Sequence, residues 1–486
     1  MLSGCASSLK GFDPQKKFPP EQLQEDFRIA WITYQQKHPG KYWYNPKDTV
    51  DFYFQQAYNS LCDSMTEQEF RNHLAFAIEK IKCGHSSVRS SKKMARYNEK
   101  HPYGITFPLA MKVWDRDSMV VLATAYRDDS DIVRGTTILS INGKKPGEIV
   151  DRMGQFISTD GWNNNFKYQV ISSGFPIQYK NTFGLSEHYD IEYLKNDGSI
   201  ATKQLQNYDP KADTIDRQHF DTLKYFKPQK RVKQKHSPKL QQRSLNIDTV
   251  NNLAVMKLNT FSYASLGSFF RKSFRKIHQQ NIQNLAIELR ENGGGSISKS
   301  SLLTRFIVNH LFHNADTVAG IGKNFPYPEY VQHHTALSLF RIFFTRTKAD
   351  GRNHVGVLER HVYKPIRKNH FDGHVYIITG GFTFSASVLF INPIKGQKNV
   401  TVVGEETGGG AYGNNAVNIP DINLPNTGLR VRLPLYRMVV DSTAKHNGRG
   451  IVPDVYVPPS SNFIRKGKDP KMAKVVEMVQ AERTKS

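Results

Sequence analysis

The chain has 486 residues, room for two to four domains at about 100–200 residues each, and a chain of this length can bury a core without disulfides. Lys and Arg number 67 against 43 Asp and Glu, a net charge of +24; this points to an anionic partner or surface and is silent about fold. At 38% hydrophobic and 11% aromatic residues the composition is not that of a disordered chain. No run of 18 apolar residues offers a membrane-spanning helix. Three cysteines, Cys5, Cys62 and Cys83, are too few for a disulfide scaffold or a cysteine-rich zinc module.

Near the start, Leu2-Ser3-Gly4-Cys5 resembles the bacterial lipobox. That resemblance implies a lipid on Cys5, a tether over 1–20, and a place in the cell envelope as a periplasm-facing or surface lipoprotein. Residues 21–100 form a predicted helical region. Leu23, Phe27, Ala30, Trp31 and Tyr34 recur at helical spacing, and Thr66-Glu67-Gln68-Glu69 is a capping box ahead of Phe70, Leu74, Ala77, Ile78 and Ile81. That helix ends at Cys83-Gly84, with His85 next.

From 103 to 223 the pattern turns to strands. The apolar run Met119–Tyr126 suits a buried strand. Gly135–Gly143 reads as a short strand closed by an Asn-Gly turn, with a helix predicted over Pro146–Phe156 and another strand over Tyr189–Leu194. Within the segment 224–247, residues 224–243 hold eight Lys or Arg and no acid. This is the pattern of a solvated linker, without the aromatics and fold of a nucleic-acid site. If it bound polyanions, the binding would depend steeply on salt.

Beyond 248 strands and helices alternate, which predicts an α/β core over 248–460. The strands are Leu253–Leu258, Leu285–Leu289, Val375–Ile378 and Val400–Val403, and Leu266–Gln279 is an amphipathic helix. The stretch 300–370 is less regular and is expected to form a lid. Residues 461–486 are expected to be a basic tail or helix. Arg430 and Arg432 alternate with apolar residues and are expected on a solvent face.

Three glycine-marked loops follow strands: Asn292–Gly295, Gly380–Ser387 and Gly404–Gly413. Ligands and catalytic groups gather at strand ends in α/β proteins. Ser385 stands near a helix start, where free N–H groups and the helix dipole favour developing negative charge; a plain N-cap would look the same, and Ser387 fits equally well. A serine needs a base. His85, between Gly84 and Ser86 at a helix end, has the pKa range for that role. No phosphate loop, HExxH motif or acidic pair suggests a nucleotide cofactor or a metal.

Together these loops resemble the tail-specific (C-terminal processing) serine peptidase family over roughly residues 80–460. Its D-L-R-x-N-x-G-G loop stands here as Glu288-Leu289-Arg290-Glu291-Asn292-Gly293-Gly294-Gly295. Its S-A-x-E nucleophile context is Ser385-Ala386-Ser387-Val388, without the glutamate. G-x-x-T-x-G-K-G becomes Gly404-Glu405-Glu406-Thr407-Gly408-Gly409-Gly410-Ala411, and G-x-x-P-D is Gly450-Ile451-Val452-Pro453-Asp454.

The resemblance implies a ClpP/crotonase-like α/β peptidase core with a PDZ-like domain before it, in which Gly135 and Ile138 would meet a peptide. Gly410 replaces the lysine base of the Ser/Lys members. The Gly84-His85 pair matches the tricorn-like branch, which takes its base from a histidine. The implied activity is a serine endopeptidase acting on proteins or peptides, with an acyl-enzyme on Ser385, His85 as base, and an oxyanion hole from the N–H groups of Gly294, Gly295 and Ala386. Asp441 is the nearest carboxylate for a third member; Glu405, Glu406 and a hydroxyl such as Ser86 stay open. A catalytically inactive peptide-binding protein of the same fold is the alternative.

Overall fold

The computed structural model describes residues 9, 11–101, 104–125, 129–209, 242–322 and 324–483. Cys5 and the basic stretch 224–241 lie outside them. The four strands read from the sequence beyond 248 join two others in one six-stranded sheet. Its order across the sheet is Val455–Tyr456, Val400–Gly404, His374–Thr379, Asn284–Glu288, Leu253–Leu258, Arg243–Asp248. The first five run parallel and Arg243–Asp248 closes the edge antiparallel.

Alternation along these strands assigns their side chains to two cores. Leu285, Ile287, Val375, Ile377 and Val402 pack under Phe270, Phe274, Leu303 and Val388 from the helices Leu266–Gln279, Ile297–Thr304 and Ala386–Ile391. The residues between them, Ala286, Tyr376, Ile378 and Val403, meet Val475 and Val479 of the C-terminal helix Pro470–Arg483. That segment is therefore no tail. A parallel sheet must be covered on both faces, and this helix covers the second one.

Within the same helix, Lys471 is 5% exposed. Its Nζ donates to Glu405 and to Thr379 O, each at 2.7 Å.

Four helices, Pro20–Lys37, Lys47–Asn59, Glu67–Glu79 and Lys92–Lys100, lie in the region read as helical. Thr66 and Glu69 make the expected reciprocal cap. This region has no core of its own. Leu23, Phe27, Phe54, Phe70 and Leu74 share one cluster with Val318, Ile422, Val431 and Met438.

The stretch expected to be a lid is part of that assembly. Thr317–Ile321 lies between Arg352–His354 and Tyr436–Val439 in an antiparallel five-stranded sheet, and Ala315 and Val318 are fully buried. A segment paired on both edges is scaffold, which irregular spacing in the sequence conceals.

Residues 104–209 form a unit with a separate core. Its antiparallel strands Leu109–Lys112, Val120–Thr124, Thr137–Ile141, His188–Leu194 and Ile200–Gln206 pair in chain order. Asn142 and Gly143 both have positive φ, 50° and 73°, as a tight hairpin turn requires. Three helices, Pro146–Gly154, Asn165–Ser173 and Phe175–Phe183, pack on this sheet.

Candidate active site

Parallel register puts the ends of three strands side by side: Glu288 pairs with Ile378, and Thr379 with Gly404. The three glycine loops therefore leave the sheet at one edge. Asn292, wholly buried, ties two of them together. Its Nδ2 donates to Leu258 O at 3.1 Å, and its carbonyl accepts the Phe384 N–H at 3.1 Å and Ser387 Oγ at 2.9 Å. Thr383 Oγ1 donates to Leu289 O at 2.9 Å and accepts the Gly380 N–H at 3.1 Å.

Held between Thr383, Phe384 and the helix Ala386–Ile391, Ser385 has φ 54° and ψ −119°, a conformation costing a non-glycine residue about 1–3 kcal/mol. Close packing keeps it there. A Cβ on Gly294 would lie 2.8 Å from Ala386 N and from Phe384 O, and one on Gly409 would lie 3.0 Å from Ser385 N. Ser385 itself remains half-exposed. Ser387 is fully buried and donates inward to Asn292, so the second serine is a structural one.

His85 arrives from the other end of the chain. The Ser86 N–H closes a turn on Cys83 O at 3.0 Å. The next three residues, Ser87–Arg89, pair with Arg430–Arg432. This places the imidazole 5.0 Å from the Phe384 ring, centroid to centroid, at 56°. Gly84 is needed beneath it, because a Cβ there would collide with Phe384 Cζ.

Burial, helped by the charge of Arg432, holds the His85 imidazole down to about 3, so it is neutral at pH 7. Its Nδ1 is buried without a hydrogen-bond partner. Arg432 departs from the solvent face expected of it. Opposite Ser87 in the strand pair, it keeps a buried, unpartnered Nε.

The candidate third members are engaged elsewhere. Asp441 is exposed, and its carboxylate accepts the Thr443 N–H at 2.8 Å and the Thr443 hydroxyl at 2.6 Å. Glu405 is paired with Lys471. Glu406 takes Arg449 and the Gly450 N–H at 2.7 Å. Ser86 faces inward to His38, Oγ to Nε2 3.2 Å. The turn of His85 is instead gripped by a residue the sequence did not single out. Asp160, 1% exposed, accepts the Gly84 N–H at 2.8 Å and the Gly410 N–H at 3.3 Å.

Of the oxyanion donors named from the sequence, the Gly294 N–H is donated to Asn292 Oδ1 at 2.9 Å, so this glycine serves close packing. The N–H groups of Gly295 and Ala386 have no protein acceptor among the described residues. A lysine at position 410 would need space already filled by Gly413 O, which a Cβ there would approach to 2.7 Å.

The expected peptide-contact residues Gly135 and Ile138 are covered. Ile138 is buried in the core of its unit, and Gly135 lies against Arg465, whose Nη2 donates to its carbonyl at 3.3 Å. Strand alternation turns Ile138 inward, and the C-terminal chain closes over Gly135. Among the described residues no group of three His, Cys, Asp or Glu is placed to hold a metal ion, and no helix is long and apolar enough to cross a membrane.

The glycine loops at one edge of the parallel sheet thus carry a strained Ser385, and Phe384, the residue before it, packs against a neutral His85. Residues 252–457 match the model of peptidase family S41, a family of serine peptidases. No curated protein matches the chain.

Among solved structures, a variant of CPAF is similar at TM-score 0.66, with 12% identity over 94% of this chain and 96% of that one. Mature CPAF matches at 0.62, again with 12% identity over 94% and 96%. CPAF complexed with lactacystin matches at 0.62, with 12% identity over 95% and 98%. At this identity the likeness is one of fold.

Proposed function

We propose that the protein is a serine endopeptidase that cleaves peptide bonds through an acyl-enzyme on Ser385, with His85 as general base. The observation that carries this reading is the strained, half-exposed Ser385 one residue from the Phe384 ring on which His85 rests. His85 takes the hydroxyl proton as Ser385 Oγ attacks the substrate carbonyl. The oxyanion forms toward the Gly295 and Ala386 N–H groups, at the N-terminus of a helix. The imidazolium then protonates the leaving amine, and water repeats the sequence to release the acyl group.

Burial keeps His85 a neutral, ready acceptor, and the same burial makes its charged form expensive. A substrate or loop that excludes water and supplies a partner to Nδ1 completes the site.

The test is a fluorophosphonate probe. The wild type is expected to be labelled, and Ser385→Ala and His85→Ala are not. Lactacystin, held by CPAF in its complex, is expected to compete. The orphaned Nδ1 of His85 favours one other reading, an inactive peptide-binding protein of the same fold; absence of labelling from pH 5 to pH 9 establishes it.

In this reading the unit at 104–209 is PDZ-like and captures peptide by strand addition away from Gly135 and Ile138. Lipidation of Cys5 holds the protein at the bacterial envelope; incorporation of labelled fatty acid into wild type and not Cys5→Ala tests it.

A further inference from the structure

The loop 159–165 joins two helices of the 104–209 unit, yet its polar groups serve the catalytic loops. The Gly161 N–H donates to Lys82 O at 3.0 Å and the Trp162 N–H to Gly448 O at 2.9 Å. Asn163 Nδ2 donates to Thr407 O, and Asn165 Nδ2 to Glu406 O at 3.1 Å. At the centre, the two oxygens of Asp160 take the N–H groups of Gly84, which precedes His85, and of Gly410, which follows the glycine packed on Ser385.

A buried carboxylate is costly unless hydrogen-bonded or paired, and no ion pair of Asp160 is present among the described residues. It is held by two backbone N–H groups, one from each half of the site.

We propose that Asp160 is a positioning residue for acyl transfer, its carboxylate locking the His85 turn to the glycine loop that supports Ser385. The proposal rests on the Ser385–His85 reading above. An ionised carboxylate can accept from both N–H groups. Once protonated, one oxygen carries a hydrogen, with an N–H where an acceptor would be needed, and the tie between the two loops loosens.

Burial lifts Asp160 to about 7. The titratable groups facing it are the Tyr44 phenol and the Cys83 thiol, both raised by burial and neutral at pH 7. Lys82, next to Cys83, is turned to Glu79, and Glu406 of the glycine loop to Arg449. His85 stays neutral well below this range. An acid limb near pH 7 is therefore expected from Asp160 and not from the base.

The experiment is the rate of fluorophosphonate labelling of the full chain from pH 5 to pH 9. The wild type is expected to lose labelling rate about tenfold per pH unit at the acid end, with a midpoint near 7. Asp160→Asn is expected to lower the maximal labelling rate at least tenfold at pH 8.5 while the half-saturating probe concentration stays within twofold, and to abolish the limb.

An unchanged limb in Asp160→Asn overturns the proposal and leaves the peptidase reading standing. So does a flat wild-type profile, which decides the matter even if the variant fails to fold. A wild type that is never labelled removes the peptidase reading itself, and the proposal with it.

Discussion

The imidazole of His85 lies 5.0 Å from the ring of Phe384, tilted by 56°, and Phe384 is the residue immediately before Ser385. One aromatic side chain thus packs on the proposed base, and its residue shares a peptide bond with the proposed nucleophile. Phe384 also packs on Phe166, 5.0 Å away, and is 4% exposed. Phe384→Ala is expected to cost about 3–5 kcal/mol of stability and to cut fluorophosphonate labelling sharply. Phe384→Leu is expected to restore most of the stability and only part of the labelling, since it fills the space without the flat face. Denaturant unfolding and labelling of the two variants check this.

The two serines of the loop Gly380–Ser387 separate cleanly. Ser387 donates one buried hydrogen bond, to Asn292 O. Ser387→Ala is expected to cost about 1 kcal/mol and to keep its labelling, whereas Ser385→Ala is expected to keep its stability and lose its labelling. Intact-mass measurement after labelling distinguishes the two; probe mass on Ser385→Ala would contradict the assignment.

Gly294 combines φ 98° with contacts a Cβ cannot share, 2.8 Å from Ala386 N and Phe384 O. Gly294→Ala is expected to cost about 1–3 kcal/mol in backbone strain alone and to displace Ser385. Labelling falls even at temperatures where circular dichroism reports a folded chain.

The buried pair Lys471–Glu405 pins the C-terminal helix to the edge of the sheet that carries the glycine loops. Lys471→Met alone leaves a carboxylate buried without its cation and is expected to cost about 3–5 kcal/mol. Lys471→Met combined with Glu405→Leu is expected to recover most of that, and a double-mutant cycle by urea unfolding reads the difference.

Acid sensitivity follows from His38. It is fully buried, accepts the Gly40 N–H on Nδ1 at 3.2 Å, and is held down to about 3 by burial. Between that value and 6.5 the unfolded chain binds a proton that the folded chain refuses, so this stability is complete above pH 6.5 and is lost as pH falls toward 3. His85 acts in the same sense, and Asp160, raised from 3.8 to about 7, opposes them over its own window. Replacing His38 by Gln is expected to flatten the pH dependence of unfolding by about 1.4 kcal/mol per pH unit across pH 4–6.

Much of the scaffold was legible because its signals are local. The Thr66–Glu69 cap, the Asn142-Gly143 turn and the apolar strands at 253–258, 285–289, 375–378 and 400–403 are each decided within a few residues. The stretch 300–370 was not, because its strand Thr317–Ile321 finds one partner more than a hundred residues away, at 436–439. Gly135 and Ile138 were misplaced for a related reason: a motif match cannot tell which face of a strand is covered, and here Arg465 covers one residue and the unit's own core the other. Asp160 gave no sequence signal beyond lying in a turn-rich run, since its partners are backbone N–H groups, which every residue but proline carries.

The sequence by itself determined that glycine-rich loops follow the strands and that Ser385, Asn292 and His85 sit at element ends. Hydrophobic periodicity and turn chemistry act over a few residues and suffice for that. Only the tertiary structure decided which groups meet. Parallel register aligned the three loops, and packing set His85 on Phe384, the residue before Ser385. Burial chose Ser387 as scaffold, left Asp441 in solvent and placed Asp160 between the two halves of the site. Those outcomes depend on which surfaces are removed from water together, and that is a property of the folded chain as a whole.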